Sequence, residues 1–393
     1  MSGETKRAVA ILVFSEFLVC LGMSLIFPVM PFLKNELHFS ATDMGIMSSL
    51  FALAQFVVSP IVGHLSDTWG RRPLLIGGLF LFAVGELLFA ITNHLGMFDL
   101  SRIVSGIAAG MYVPTAQAMA ADITTSKQRA RVIGLLSASL SGGLILGPGL
   151  GGILAGFNYK LPFYIAALLG LFATLATVFF LPRIGRQRRT NAERAAGTTR
   201  TNWRELLSGP LLMLFILILV SSFGLQGFES IYSIFVNEVF KFSLGDIALV
   251  LTLNGIFSLV LQVVFFDRIV LWLGEMKVIR YTFLFSFLAI GWIMLTHAKW
   301  QVMVATLIVC TAFDLLRPAI TTLLTRQNAD MQGAINGLNL SLTSIGNIAG
   351  PLMAGSLLDL NYHIPYTVVI VILAISYGLS YTIHMGKTTD LEA

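Results

Sequence analysis

Hydrophobic residues in this chain come in long, nearly unbroken runs, and polar residues gather in short gaps between them. Runs at about 8–33, 44–65, 74–93, 97–121, 132–156, 162–182, 210–236, 246–266, 278–297, 301–325, 335–358 and 364–385 predict twelve helices. Most are long enough to cross a bilayer at roughly 1.5 Å of rise per residue. The first run follows Lys6 and Arg7 but is too long for a signal-peptide core, and no small-residue cleavage site follows it. It is therefore read as an uncleaved first span. Pro28 and Pro31 near its far end should bend or terminate it. The gap at 183–209 differs from the others, being rich in arginine with Thr, Asn and Gly and little apolar content. It predicts a solvated linker between a first half, 1–182, and a second half, 210–393. Its charge favours contact with anionic inner-leaflet lipid.

Within the fifth run Gly143, Gly147 and Gly151 recur every fourth residue. On a helix this spacing makes one smooth face without side chains. In lipid such a face admits the backbone of another helix very closely. Pro148 removes one backbone donor and should bend the helix there. A small-residue packing seam of the kind found in any membrane bundle is the simpler alternative. The pattern returns half a chain later as Gly346, Gly350, Pro351 and Gly355. Two similar halves meeting at bent, glycine-faced helices suggest a transporter. The expected fold is an all-α membrane protein of twelve transmembrane helices in two pseudo-symmetric six-helix bundles.

Composition agrees. The 393 residues are 56% hydrophobic and 11% charged, with mean hydropathy +0.83, which excludes an ordinary soluble globular protein. The net charge of +5 raises the question of nucleic acid, but its placement answers otherwise. With a cytoplasmic N-terminus, the outer loops hold only Lys34, Lys160, Lys241 and Lys299. Nearly every other Lys and Arg falls on the inner side, a positive-inside pattern that puts both termini in the cytoplasm. Cys20 and Cys310 lie inside spans, so no disulfide framework is expected. No metal-ligand cluster, phosphate loop or nucleophile motif is visible, so neither a cofactor nor an enzyme is predicted.

Charges inside the spans carry the candidate chemistry. Glu16, Glu86, Arg102, Glu229, Asp314 and Arg317 must face protein or water, because lipid exposure is costly. A low-dielectric site favours the protonated carboxyl, and water access then makes it a proton-exchange site. Asp314 and Arg317 stand three apart on one helix face, so a local ion pair is the alternative there. Glu229 has no partner nearby in sequence. Glu86 reads as a packing residue, and Glu16 reads equally well either way.

Several segments resemble a known family. Gly63-His-Leu65-Ser-Asp67-Thr-Trp-Gly70-Arg71-Arg72 looks like the signature loop of the major facilitator superfamily, with Thr68 where the family often has a basic residue. Asp99-Leu-Ser-Arg102 resembles its second signature, and Gly143 to Gly152 the third, which marks drug/proton antiporters. Phe228-Glu229-x-x-Tyr232 and Phe313-Asp314-x-x-Arg317-Pro318 resemble helices of the NorA/Bmr-type multidrug exporters. This likeness implies proton-driven export of amphipathic, often cationic small molecules from the cytoplasm or inner leaflet. It implies a central cavity, alternating access, and a monomer in a bacterial cell membrane. It makes Glu229 and Asp314 the proton carriers, with Arg102 and Arg317 near them and Glu16 as an added acid without a counterpart in those exporters. It carries substrate contact to Gln55, Met111, Tyr232, Gln262, Phe313 and Asn347. It carries a gating pair to Arg71 and Asp122 beside Asp67. An exporter of one physiological metabolite or lipid is the alternative function.

Overall fold

The structure, a computed structural model, describes residues 3–181, 209–327 and 332–383. All regular structure among the described residues is helical. In chain order the helices are α1 (Gly3–Ser24), α2 (Met30–Leu37), α3 (Ala41–Trp69), α4 (Arg71–Ile91), α5 (Leu95–Ile123), α6 (Ser126–Ala155) and α7 (Leu161–Phe180). The second half contributes α8 (Gly209–Phe240), α9 (Leu244–Val260), α10 (Phe266–Leu273), α11 (Glu275–Leu295), α12 (Lys299–Gln327), α13 (Gln332–Leu358) and α14 (Ile364–Thr382). Joining α1 to α2 and α9 to α10 leaves twelve rods, as the hydrophobic runs predict. Ten of them are long and apolar enough to cross a membrane. The other two, α5 and α13, have the length but are more polar, α5 through Asp99 and Arg102 and α13 through its Asn, Ser and Thr residues. Most of the predicted linker, 183–208, lies outside the described residues.

Prolines joint the first rod and leave α6 continuous. Pro28 and Pro31 break the first rod, but the chain resumes at once, through a 3₁₀ turn at Phe27–Val29 and then α2 to Leu37. A proline in the first turn of a helix costs no hydrogen bond, so the rod is jointed rather than ended. Pro148 sits inside an uninterrupted α6.

The duplication is written into the backbone. His38 (φ 57°) and Lys241 (φ 56°) are the two non-glycine residues with positive φ among those described. Each ends a rod in the left-handed conformation, with Phe39 N–H bonded to Leu33 O at 3.4 Å and Phe242 N–H to Val236 O at 3.1 Å. These are matching six-residue helix stops. Each is followed by a capping box: Ser40 with Asp43 opens α3, and Ser243 with Asp246 opens α9. In a capping box two side chains satisfy two orphan backbone donors. Gly70 and Gly274, both with positive φ, occupy equivalent turns further on.

Contacts group the described residues into two compact units. The first joins everything up to residue 181 with Glu229–Ile256 and Pro351–Tyr362. The second holds the rest. In the first unit α1 packs on α6, α3 and α4 pack on α5, and α4 packs on α7. In the second, α11 packs on α12 and α14.

The glycine groove is filled. A Cβ on Gly143 would lie 2.6 Å from Phe17 O and 2.8 Å from Leu21 N, one on Gly147 would lie 2.8 Å from Leu21 O, and one on Gly151 would lie 2.9 Å from Leu25 O. All four atoms belong to the backbone of the first rod. Ser24 closes the seam by donating from Oγ to Gly143 O at 3.2 Å. The twin glycines do the same in the second unit: a Cβ on Gly350 would lie 2.7 Å from Phe223 O, and one on Gly346 2.7 Å from Phe223 N.

Candidate functional site

In the first unit an aromatic cluster prepares a place for Arg102. Phe89 stacks on Phe163 with ring centroids 4.0 Å apart, and Phe98 meets Phe89 edge-on at 4.5 Å. The Arg102 guanidinium lies over the Phe89 ring, 4.7 Å from its centroid, a cation–π placement. Arg102 Nη2 pairs with Glu86 Oε1 at 3.2 Å, and Ser105 Oγ donates to the same oxygen at 3.0 Å. Arg102 is 2% exposed and Glu86 0%. Glu86 is thus more than a packing residue: it is the counter-ion of the buried arginine. A sequence signal existed, because a buried guanidinium needs an acid and α4 supplies one.

Glu16 on α1 is 0% exposed, and neither carboxyl oxygen has a hydrogen-bond partner among the described residues. It is sealed in this arrangement. Glu229 on α8 is only part-buried, and Gln55 and Met111 are part-buried as well. Tyr232 is 1% exposed, so its ring is packed. At the turn between α3 and α4, Arg71 Nε pairs with Asp122 Oδ2 at 3.1 Å, and Arg71 also bonds Ser66 Oγ. The two residues expected to form a gating pair therefore meet. The Asp67 side chain lies outside the described residues.

In the second unit Asp314 is part-buried and Arg317 is exposed. The Asp314 carboxyl takes a hydrogen bond from Ser258, and among the described residues no ion pair joins it to Arg317. Gln262 Nε2 donates to Ser258 Oγ at 3.0 Å. Between Leu261 and Phe265 the helix widens to a π-turn, a distortion that often marks functional sites. Ser258 is a residue that the sequence reading misses, since one serine in an apolar helix carries no pattern. Phe313 is 2% exposed, packed where a Cβ on Gly224 would sit 3.4 Å from its ring. Gln262 is exposed and Asn347 part-buried.

A further polar cluster, also absent from the sequence reading, lies in the first unit at the end away from the Arg71 turn. Asp359, just past α13, accepts from Ala41 N and Thr42 N, both at 2.8 Å, and from Thr42 Oγ1 at 2.6 Å. A carboxylate there caps the N-terminus of α3 and meets its dipole favourably. Burial works against the charge, but the bonds from Thr42 and Ala41 and the Lys34 charge hold the Asp359 carboxyl below its ordinary range. Lys34 Nζ reaches Glu238 Oε1 at 3.0 Å and the Tyr362 hydroxyl at 2.9 Å. Asn35 Nδ2 donates to Asn237 Oδ1 at 3.2 Å. Glu238 and Asn237 are on α8.

Comparison with known proteins gives a consistent result. The family model for the Major Facilitator Superfamily matches residues 12–351. Multidrug resistance protein 1 of Bacillus subtilis is 38% identical over 383 residues, 98% of this chain and 97% of that protein. Multidrug resistance protein 2 of the same organism is 34% identical over 393 residues, covering 99% and 98%. Quinolone resistance protein NorA of Staphylococcus aureus is 34% identical over 362 residues, 92% of each chain. Among solved structures, a bacterial homolog of the human lysosomal transporter Spinster, inward-facing and unoccupied, superimposes with TM-score 0.78 at 16% identity and 98% coverage of both chains. A mutant of the nucleoside transporter NupG gives 0.81 at 12% identity, covering 98% of this chain and 100% of the other. These two likenesses show the fold.

Proposed function

The chain belongs to the major facilitator superfamily, and from that premise we propose that it exports amphipathic, often cationic drugs from the cytoplasm or inner leaflet in exchange for protons. It is a multi-pass membrane transporter and not an enzyme. The multidrug part of the reading is supported by the near-full-length likeness to proteins named for multidrug and quinolone resistance. The proton part rests on one observation: Glu229 and Asp314 stand in apolar helices, yet neither is fully buried. An acid in that position keeps the low-dielectric surroundings that make protonation consequential, and its partial exposure is what a route for water requires.

The proposed cycle alternates access to these acids. A cationic drug entering from the cytoplasm is attracted by the Glu229 or Asp314 carboxylate. Rocking of the halves exposes it outward. Protons from outside neutralise the acids and release the drug, and the return step delivers the protons inside. Drug and proton compete for the same carboxylates, and that competition is the coupling. Gln55, Met111 and Tyr232 in the first unit, and Gln262, Phe313 and Asn347 in the second, are the proposed substrate contacts. The packed rings of Tyr232 and Phe313 must shift to take part. The sealed Glu16 would exchange its proton only once α1 moves. Both termini face the cytoplasm, Arg71 with Asp122 acts at the inner gate, and the working unit is a monomer.

Everted vesicles with an acidified interior, given unrelated fluorescent dyes from outside, test the proposal. Competition among the dyes is expected, and a single narrow substrate would overturn the multidrug reading. Glu229→Gln and Asp314→Asn should each abolish proton-driven efflux while the protein still folds. Wild-type efflux in the double variant would overturn the proton-carrier roles.

A further inference from the structure

The geometry points to a latch at the end of the first unit away from the Arg71 turn, formed by Asp359 on the α3 N-terminus and by Lys34 against Glu238 and Tyr362. We assign these four residues, which none of the transport roles above uses, as the positioning groups that hold that end of the first rod and α3 against α8 and α13. The assignment rests on the proposed alternating-access cycle for its purpose, though not for its existence.

Three independent contacts converge there. Asp359 gives both carboxyl oxygens to the first turn of α3. Lys34 is shared between an acid on α8 and a phenol at the end of α13, with its ammonium 4.9 Å from the Tyr362 ring centroid. Beneath them glycine allows backbone contact. A Cβ on Gly45 would meet Pro351 O, and one on Gly355 would meet Ala41 O. A Cβ on Gly149 would meet the Thr252 side chain, and one on Gly152 that of Ala248. At Gly45 and Gly355 first-half and second-half backbones therefore touch without a side-chain layer between them, and the polar groups close over the rim. Long-range pairing of this kind does not arise from the duplicated backbone, because Asp359 and Lys34 each bond outside their own half.

Such a latch must break whenever that end opens, and protonation is not what breaks it. Asp359 is held below its ordinary range. Its contribution is therefore present above the ordinary carboxylate value and lost only as pH falls through the depressed one. The charge that acts on it is Lys34, which in turn faces Glu238 and the Tyr362 hydroxyl. The latch is thus a fixed load that the drug and proton sites must overcome.

Paired cysteines test it on the full-length protein in vesicles. Asn35 and Asn237, whose side chains meet at 3.2 Å, are both replaced by Cys. Native Cys20 and Cys310 are buried and do not compete. A short, cleavable thiol-reactive bridge should join the pair in resting protein, stop transport, and release it on reduction. Asp359→Asn should slow bridging about tenfold, and Thr42→Val should slow it less. Lys34→Glu and Glu238→Lys should each slow it, while the two together restore it. Bridging in the parent pair, divided by the rate of a free-thiol standard to remove the change in thiolate fraction, should stay level from about pH 8 to about pH 5. Unchanged bridging in both Asp359→Asn and Lys34→Glu, or full transport by bridged protein, would overturn the latch. Bridging is read without drug or gradient. A failed dye panel with intact bridging therefore defeats the export reading and leaves the latch.

Discussion

Gly147→Val is expected to leave little folded, active protein in the membrane. The Gly147 Cα faces the first rod so closely that a single added carbon meets Ser24 Oγ and comes within 2.8 Å of Leu21 O. Leu21 O is backbone within α1, so it cannot turn aside as a flexible side chain can. Ser24 cannot simply rotate away either, because the acceptors within reach of its one hydroxyl proton, the carbonyls of Cys20, Leu21 and Gly143, lie in this seam. Valine adds two further methyls and stiffens χ1. The helices must separate, and the neighbouring contacts at Gly143 and Gly151 go with them. Overpacking a tight core costs about 1–3 kcal/mol; here the obstacle is backbone, so at least about 3 kcal/mol is expected. Gly134 on the same helix supplies the control. Nothing lies within 4 Å of its virtual Cβ, so Gly134→Ala should be harmless or slightly stabilising through helix propensity. The measurements are yield of monodisperse protein in detergent and dye efflux in vesicles. Wild-type yield and efflux from Gly147→Val would show that the groove is not tightly filled.

That groove was legible in the sequence, since a four-residue glycine spacing has only one helical interpretation and the structure fills it with backbone. The rods were legible for the same reason: lipid demands long apolar helices, and composition records the demand. Their ends were less so. The first rod runs on through α2 because a proline can begin a helix as readily as it ends one. The capping boxes at Ser40 and Ser243 were present in the sequence as Ser-x-x-Asp, and they mark the α3 and α9 starts better than hydropathy does. What stayed hidden were the partners. Asp359 looks like a boundary residue after an apolar run, and nothing in the chain tells it to cap a helix more than 300 residues earlier. Ser258 is likewise defined by which helix faces which, a relation that one helix's periodicity cannot express, and for Glu86 the only hint was that a buried arginine needs an acid. The acids themselves could be found because a charge in an apolar run is conspicuous. What each acid touches could not.

Glu86→Gln should cost more stability than any surface change in the chain. The substitution keeps the shape and leaves Arg102, 2% exposed, without its charge partner. A guanidinium cannot escape by losing its proton, so the penalty falls on folding. Breaking a buried pair by removing one partner typically costs about 3–5 kcal/mol. The Phe89 ring, 4.7 Å from the guanidinium carbon, is in place before and after the change, so its contact of about 2 kcal/mol when desolvated does not replace the lost partner. The reverse argument distinguishes stability from transport. Removing both charges with Glu86→Met and Arg102→Met leaves no orphan, and such replacements of buried pairs are often neutral or stabilising. The double variant should therefore melt near the wild-type temperature while Glu86→Gln melts well below it. If the double variant is stable yet silent in efflux, Arg102 has a part in transport beyond holding α4 to α5. If it is stable and active, the pair is structural. A Glu86→Gln protein that melts with the wild type would mean that Arg102 finds another anion or water once Glu86 is gone, and the pair would lose its place as the central polar contact of the first unit.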